Sequence, residues 1–543
     1  MTDRDGVTAS GASDILGRVM LAFEGDRLAA RIGDRLAGAP AAGVTLFRHH
    51  NVRSAGQVRE LTGALQRAAA SRQRAAGARE AAGFPLLIAA DQEGGQFLAL
   101  GDDATPFAGN MALGAADDLA LTEAVGRAIG TEARAMGVNV VYAPVVDLAT
   151  NPANPALGIR SFGDDPERVA AHGAAMIRSL QGAGVAAAVK HAPGKGHVAA
   201  DTHHGIATVD APLDVLRVRE FVPFRAAFAA GVRLAMSGHL ALPAVSGRAD
   251  LPSTLSRAVM TNLLRGELGF DGVTISDALD MRALAQGPAQ ALDVVAAVRA
   301  GVDLLLAGAD AAALDRIERT LLHAEARGLF DADEVAASGR RIDALRSWVG
   351  SVVDGPVPDL AVVGGADHQA LARDVAARSI TLVRDPGGRL PLVPASGMRV
   401  IAVMPRPADL TPADTSSYVA PGLATALRRH YVEVEEIIVE QEPDGASIAA
   451  VRDRVAGAGA VVIGTIDGHR QPPQLALLAA VAATGVPTIA VAMRGPWDVT
   501  GYPTGVTSLA TYSILPGSLD ALADALAGET TATGRLPVGL ERG

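Results

Sequence analysis

The stretch Lys190-His-Ala-Pro-Gly-Lys-Gly-His-Val-Ala-Ala-Asp-Thr-His-His-Gly205 holds four of the chain's 12 histidines and both of its lysines. Asp201 and His203 are two positions apart. On a helix their side chains would diverge, whereas in an extended or turning loop the carboxylate can reach the imidazole. A carboxylate behind imidazole fixes the tautomer and raises its basicity, giving an acid/base group that works near neutral pH. The same residues also suit an ordinary polar loop, or a metal site built from His197, His203 and His204. Spacing alone leaves these three readings open.

The lysines add a second signal. Of 48 basic residues only Lys190 and Lys195 are lysine, in a chain rich in Ala, Arg and Gly. Arginine has replaced lysine wherever a generic cation suffices. A site that needs a compact ammonium cannot accept a planar guanidinium, so the two survivors mark the 190–195 region.

Three further segments carry chemistry. In Gly272-Val-Thr-Ile-Ser-Asp-Ala-Leu-Asp-Met281 an apolar run ends at Ser276-Asp277, where a carboxylate could act as nucleophile, metal ligand or helix cap. Asp280, three residues further on, is the weaker competitor for that role. In Asp91-Gln-Glu-Gly-Gly95 the Asp91 carboxylate could accept two hydroxyl hydrogen bonds from a sugar, while the Gly pair also fits a plain tight turn. In Asn154-Pro-Ala-Leu-Gly-Ile-Arg-Ser-Phe-Gly163, Arg160 offers a planar donor fork.

The elements that must position these groups are legible in the periodicity. Short β-rich runs at 18–23, 43–47, 85–90, 138–144, 185–191, 233–239, 272–277 and 302–306 alternate with amphipathic helical segments such as 117–136 and 165–183. Eight such repeats predict an α/β fold with an N-terminal (β/α)8 barrel. Asp91, Asp147, Lys190, His191, His239 and Asp277 all fall at strand ends. Barrel enzymes gather their catalytic groups at that rim.

Residues 349–368 read as a linker, and strands at 379–383, 399–404, 432–439, 460–465, 488–493 and 508–514 follow, with helices between them. This predicts a C-terminal αβα sandwich. The expected organisation is a catalytic barrel over 1–350, a linker and connecting helix over 351–378, and the sandwich over 379–543. No G-x-G-x-x-G opens a helix after a first strand, which argues against nucleotide binding.

Composition narrows the function classes. A net charge of -11 without clustered cations argues against nucleic acid as a partner. No cysteine is present, so disulfides and thiolate metal sites are excluded. No apolar run approaches the roughly 18 residues that a membrane helix needs, and the start of the chain lacks the pattern of a signal peptide. The expectation is a soluble cytoplasmic protein without membrane partners.

Together the four segments, in this order, resemble the β-N-acetylglucosaminidase branch of glycoside hydrolase family 3. Its pattern runs D-Q-E-G-G, then N-P-x-x-G-x-R-S-F-G, then K-H-F-P-G-x-G with D-S-H several residues on, then S-D-x-L-x-M. The Gly388-Arg-Leu-Pro and Gly534-Arg-Leu-Pro-Val segments are similar to the second domain of two-domain members. The resemblance implies Asp277 as nucleophile and His203, backed by Asp201, as acid/base. It also implies Asp91, Arg160, Lys190 and His191 as ligands of the sugar in the −1 subsite. The implied reaction is double displacement, in which His203 takes the place of the second carboxylate of most retaining glycosidases. No metal or organic cofactor is required.

Some positions depart from the pattern. Ala192 stands where the family has Phe, Gly194-Lys-Gly-His197 replaces its usual G-H-G-D, Thr202 replaces Ser, and Gln96 stands where many relatives have Arg. Lys195 and His197 then fall on the acceptor or +1 side. A cation there would suit an anionic aglycone, such as a muropeptide lactyl group, or inorganic phosphate as acceptor. The implied function is exo-hydrolysis of terminal β-GlcNAc from muropeptides or chito-oligosaccharides by a monomer or homodimer. The alternatives are a phosphorylase releasing the sugar 1-phosphate, a β-glucosidase, and a non-catalytic sugar-binding protein.

Overall fold

The computed structural model describes residues 14–75, 85–198, 205–353, 355–394 and 398–540. Eight parallel strands form the first sheet: β1 (Val19–Leu21), β2 (Gly43–Leu46), β3 (Leu87–Ala90), β4 (Val140–Val141), β5 (Ala186–Ala192), β6 (Leu234–Ser237), β7 (Val273–Ser276) and β8 (Leu305–Leu306). Each of the eight lies within or against one of the runs expected from the sequence. Their spatial order is β7-β6-β5-β4-β3-β2-β1-β8. The seam between β7 and β8 is closed by Ser276 N donating to Leu304 O at 2.9 Å and Leu304 N donating to Thr274 O at 2.9 Å. The sheet is therefore a barrel.

The interior is filled by residues from alternating strand positions, among them Met20, Leu87, Ala89, Val140, Tyr142, Ala188, Met236 and Ile275. Ile342, Leu345 and Val349 of the helix Ala332–Val353 join the same cluster and plug the N-terminal end. That helix is still running at 349, where the composition had suggested a linker to begin. The connecting helices Leu119–Ala135 and Pro166–Gly182 start where Asp118 and Asp165 accept hydrogen bonds from the first free backbone N–H groups, with Pro166 preset for the first turn.

The second sheet has six strands: β9 (Thr381–Arg384), β10 (Val400–Pro405), β11 (Val434–Val439), β12 (Ala460–Thr465), β13 (Thr488–Ala492) and β14 (Thr507–Ala510). Their order is β9-β14-β13-β12-β10-β11, with β9 antiparallel and the others parallel. Val400, Ala402, Val462, Ile489, Val491 and Leu509 pack one face against helices that include Leu423–Leu427 and Pro516–Ala527. The last segment returns to the barrel, because Arg535 N donates to Ala115 O at 2.9 Å and Asp164 N donates to Pro537 O at 3.2 Å. Among the described residues, no helix is long and apolar enough to cross a membrane.

Candidate active site

The C-terminal rim of the barrel surrounds a cavity of about 420 Å³. Its wall includes Asp91 after β3, Lys190 and His191 at the end of β5, Lys195 just beyond, and Asp277 after β7. Arg160 reaches the same cavity from the turn Gly158–Arg160. Six of the residues singled out in the sequence are thus brought together. Asp201 and His203 lie outside the described residues. The side chain of His197 is exposed and is not part of the cavity wall.

Asp91, Glu93, Arg160 and Lys190 form one interlocked cluster. Arg160 donates to both oxygens of Glu93, at 2.9 Å from Nε and 2.8 Å from Nη2, and from Nη1 to Ala156 O at 2.7 Å. Lys190 Nζ lies 2.5 Å from Asp91 Oδ1 and 2.7 Å from Glu93 Oε1. The Arg160 guanidinium also lies 4.1 Å above the centre of the Phe97 ring. Burial alone would raise Glu93, but Arg160 and Lys190 outweigh it and hold the carboxyl at about 2. Burial pushes Asp91 up against the pull of Lys190. Burial would likewise lower Lys190, and Asp91 and Glu93 overcome it, so its ammonium is held above the usual range. Two fixed cations and two fixed anions make a rigid polar wall of matched charge.

A second arrangement holds His191. Asp147, which is buried, accepts from His191 Nδ1 at 2.7 Å, from His191 N at 3.1 Å and from Lys195 N at 2.8 Å. Burial raises the Asp147 carboxyl to about 6 despite these donors. The turn carrying Lys195 is pressed against the strand-end segment 145–149. A Cβ added at Gly196 would lie 1.7 Å from Leu148 O, so only glycine allows that approach. The Lys195 side chain, 1% exposed, is directed by this turn into the cavity wall.

Asp277 is positioned from below. Its Oδ1 accepts from Ala278 N at 2.9 Å, and its own N–H donates to Ser237 O at 3.1 Å. Ala278 O in turn accepts from His239 Nε2 at 3.0 Å, which leaves His239 Nδ1 to accept from Thr254 Oγ1 at 2.8 Å. Burial lowers the His239 pKa, in keeping with that neutral tautomer. Asp280, the weaker competitor, also lines the cavity, at its exposed edge beside Gly308.

The sequence model of the glycosyl hydrolase family 3 N-terminal domain matches residues 30–345. The chain belongs to glycosyl hydrolase family 3. It is similar to "Beta-hexosaminidase A" of Pseudoalteromonas piscicida, 32% identical over 368 residues, which are 64% of this chain and 60% of that protein. It is 31% identical over 486 residues to the "Beta-N-acetylglucosaminidase/beta-glucosidase" of Cellulomonas fimi, covering 84% of this chain and 83% of that one. The solved family 3 β-N-acetylglucosaminidase from Paenibacillus superposes with a TM-score of 0.89 at 33% identity, covering 97% of this chain and 98% of its own.

In this family 3 chain the second sheet unit takes part in the cavity. Pro412 and Ala413 line it opposite Asp91. Their loop is docked on the hairpin Gln92–Gly94/Phe97–Leu98: Gln96 Nε2 donates to Asp414 Oδ2 at 3.1 Å, Thr415 N to Gln96 O at 2.8 Å, and Leu98 N to Thr415 Oγ1 at 3.2 Å. Gln96, a departure from the family pattern, is therefore a contact between the two units. The Arg48 guanidinium stacks 4.0 Å from the centre of the Tyr418 ring on the same interface. Buried Arg494 ties the loops together, donating to Asp467 Oδ2 at 2.9 Å and Ser416 Oγ at 2.5 Å.

Sequence reasoning passed over Glu93, His49, His50 and the 411–418 loop. Asp147 was marked by its strand-end position, but its pairing with His191 and Lys195 was not. Glu93 stood inside a quoted motif but gained meaning only from Arg160, 67 residues away.

Proposed function

We propose that the chain is a retaining exo-β-N-acetylglucosaminidase that removes terminal β-linked GlcNAc from short muropeptides or chito-oligosaccharides. The observation that carries this reading is the Asp277 carboxylate, set at the end of β7 and facing one small cavity with the Asp91–Lys190–Glu93–Arg160 cluster. The relatives named as β-hexosaminidase and β-N-acetylglucosaminidase support the sugar class.

Asp277 attacks the anomeric carbon, the bond to the leaving oxygen breaks, and His203, oriented by Asp201, delivers the proton to that oxygen. Water then attacks the anomeric carbon, giving its proton to His203, as the glycosyl–Asp277 bond breaks and the Asp277 carboxylate is released. Asp91 accepts sugar hydroxyl hydrogens while Lys190 and His191 fix its place. Arg160 serves mainly through Glu93, which occupies its fork.

Incubation with p-nitrophenyl β-GlcNAc tests the activity. Asp277→Ala is expected to lower turnover about ten-thousandfold with the fold intact by circular dichroism. Unchanged turnover would remove Asp277 from the nucleophile's role.

The buried ammonium of Lys195 in the cavity wall favours a second reading, in which inorganic phosphate replaces water as acceptor. Product analysis at millimolar phosphate separates the two. GlcNAc 1-phosphate would establish phosphorolysis, and GlcNAc alone would establish hydrolysis.

A further inference from the structure

The opposite end of the barrel holds a second cavity, of about 400 Å³. Arg18 immediately precedes β1 and Asp303 lies two residues before β8, so the cavity sits at the N-terminal end of the strands, away from Asp277. Five arginines line it: Arg18, Arg257, Arg265, Arg299 and Arg341. Facing them are three carboxylates, Asp303, Asp331 and Glu334.

One buried carboxylate, Asp303, is shared by two of the inner cations, Arg265 and Arg341. Asp303 is fully buried and already saturated, accepting from Arg265 Nη2 at 2.6 Å, Arg341 Nη2 at 2.7 Å and Thr274 N at 2.9 Å. Glu334 is paired with Arg257 at 2.5 Å on the exposed rim. Arg18 is 4% exposed and donates only to carbonyls, Val302 O at 3.5 Å and Val335 O at 3.2 Å. Among the described residues no carboxylate lies within ion-pair distance of it. The buried Arg265 Nε has no hydrogen-bond partner. Burial lowers the pKa of Arg18, and Asp303 and the more distant Glu325 only partly restore it. A buried guanidinium without its own counterion, as Arg18 is, is costly, and an anion brought beside it and the shared Arg265–Asp303–Arg341 group recovers part of that cost.

We propose that this cavity binds a small phosphate-type dianion, held between Arg18, Arg265 and Arg341 with Arg299 at its entrance. Guanidinium groups from three elements line the one cavity, with Arg265 Nε still lacking an acceptor, and a tetrahedral oxyanion can take hydrogen bonds from several of them at once. The cavity exceeds the volume of bare phosphate, and Val298, Leu329 and Phe330 give an apolar wall for a small organic body. Thr274 and Asp303 belong to the β7–β8 seam, so an anion here would brace barrel closure.

The test uses the full chain, with thermal unfolding and titration calorimetry at constant ionic strength. The probes are inorganic phosphate and a hexose 6-phosphate, with acetate as control. One saturable site with a raised Tm is expected. Tighter binding of the ester would identify a phosphate monoester as the ligand, and equal binding would identify phosphate itself. Arg299→Ala is expected to weaken binding about tenfold while leaving glycoside hydrolysis unchanged. Arg18→Gln is expected to abolish binding, and Arg299→Ala still tests the site if that variant fails to fold. Lys195→Met, at the other end of the barrel, should leave the binding intact. The proposal is overturned if neither probe binds up to roughly 10 mM. It is equally overturned if binding survives Arg299→Ala unchanged and disappears in Lys195→Met, which would place the anion at the barrel mouth.

Discussion

Two His–Asp pairs, one on the barrel rim and one in the second unit, share nearly the same local geometry and differ in their third contact. His191 Nδ1 lies 2.7 Å from Asp147, whose carboxylate also accepts from His191 N at 3.1 Å. His469 Nδ1 lies 2.7 Å from Asp498, whose carboxylate accepts from His469 N at 3.0 Å. The difference is at Nε2. In His191 it faces Arg160 Nη2 at 3.5 Å, a group that can only donate. In His469 it faces Pro152 O at 2.9 Å, a group that can only accept, so the ring carries both protons. Burial lowers the His469 pKa, but Asp498 and Asp467 outweigh it and the net shift is upward. The third partner, rather than the pair itself, sets the two imidazoles apart, and at His469 an acceptor on each ring nitrogen makes a cationic clamp.

The clamp has a direction. Pro152 lies in the 151–154 turn, where Asn154 Nδ2 donates to Lys195 O at 2.9 Å and Asn151 Nδ2 to His197 O at 3.3 Å. His469 thus braces, through that turn, the loop that places Lys195. The loops 467–470 and 494–498 build this contact, with His469 held by Asp498 and beside the Trp497 ring.

The largest effect should follow from breaking the rim pair. Asp147→Asn removes the acceptor that sets the His191 tautomer and holds Lys195 N, and is expected to lower kcat/KM about a hundredfold. The pH dependence sharpens the point. Asp147 has a raised folded pKa of about 6, so it gains a proton as pH falls through that value and ceases to be a full acceptor. Wild-type kcat/KM should therefore decline below about pH 6, and the Asn variant should lack that limb. A variant with normal turnover would show that the rim pair only packs.

Asp498→Asn should act on the same loop at one remove. Without the carboxylate the His469 ring loses the partner that keeps it charged, and a contact between units weakens. About a tenfold loss in kcat/KM is expected, carried mainly by KM. A loss as large as that of Asp147→Asn would mean that the second unit holds reacting groups rather than supporting them.

These two pairs also show how far the sequence could be read. The barrel strands were legible because apolar runs alternate with helical periodicity, and the rim because polar residues cluster at strand ends. Lys190 and Lys195 were legible by rarity, and both prove to be buried in one cavity. The partner of each group was not legible. That Arg160 spends its fork on Glu93, or that Gln96 reaches Asp414 across 318 positions, depends on chain closure and not on local pattern. The third contact of His191 and of His469 is a further step removed, since the two pairs differ there only in one long-range atom.

The smallest effect is the most direct test of the comparison. His469→Gln retains a donor for Pro152 O but cannot titrate. A group whose folded pKa is raised stabilises fully below its unfolded value, near 6.5, and loses that contribution as pH rises through the folded value. The difference in stability between wild type and His469→Gln should therefore be on the order of 1 kcal/mol near pH 6 and shrink toward pH 9. In a chain of this size that corresponds to a Tm difference of about 2 °C or less, within reach of calorimetry. A difference that does not change with pH would mean that His469 holds no ionisable proton in this range. His469 would then brace the 151–154 turn as a neutral donor, and its contact with Pro152 would not depend on pH.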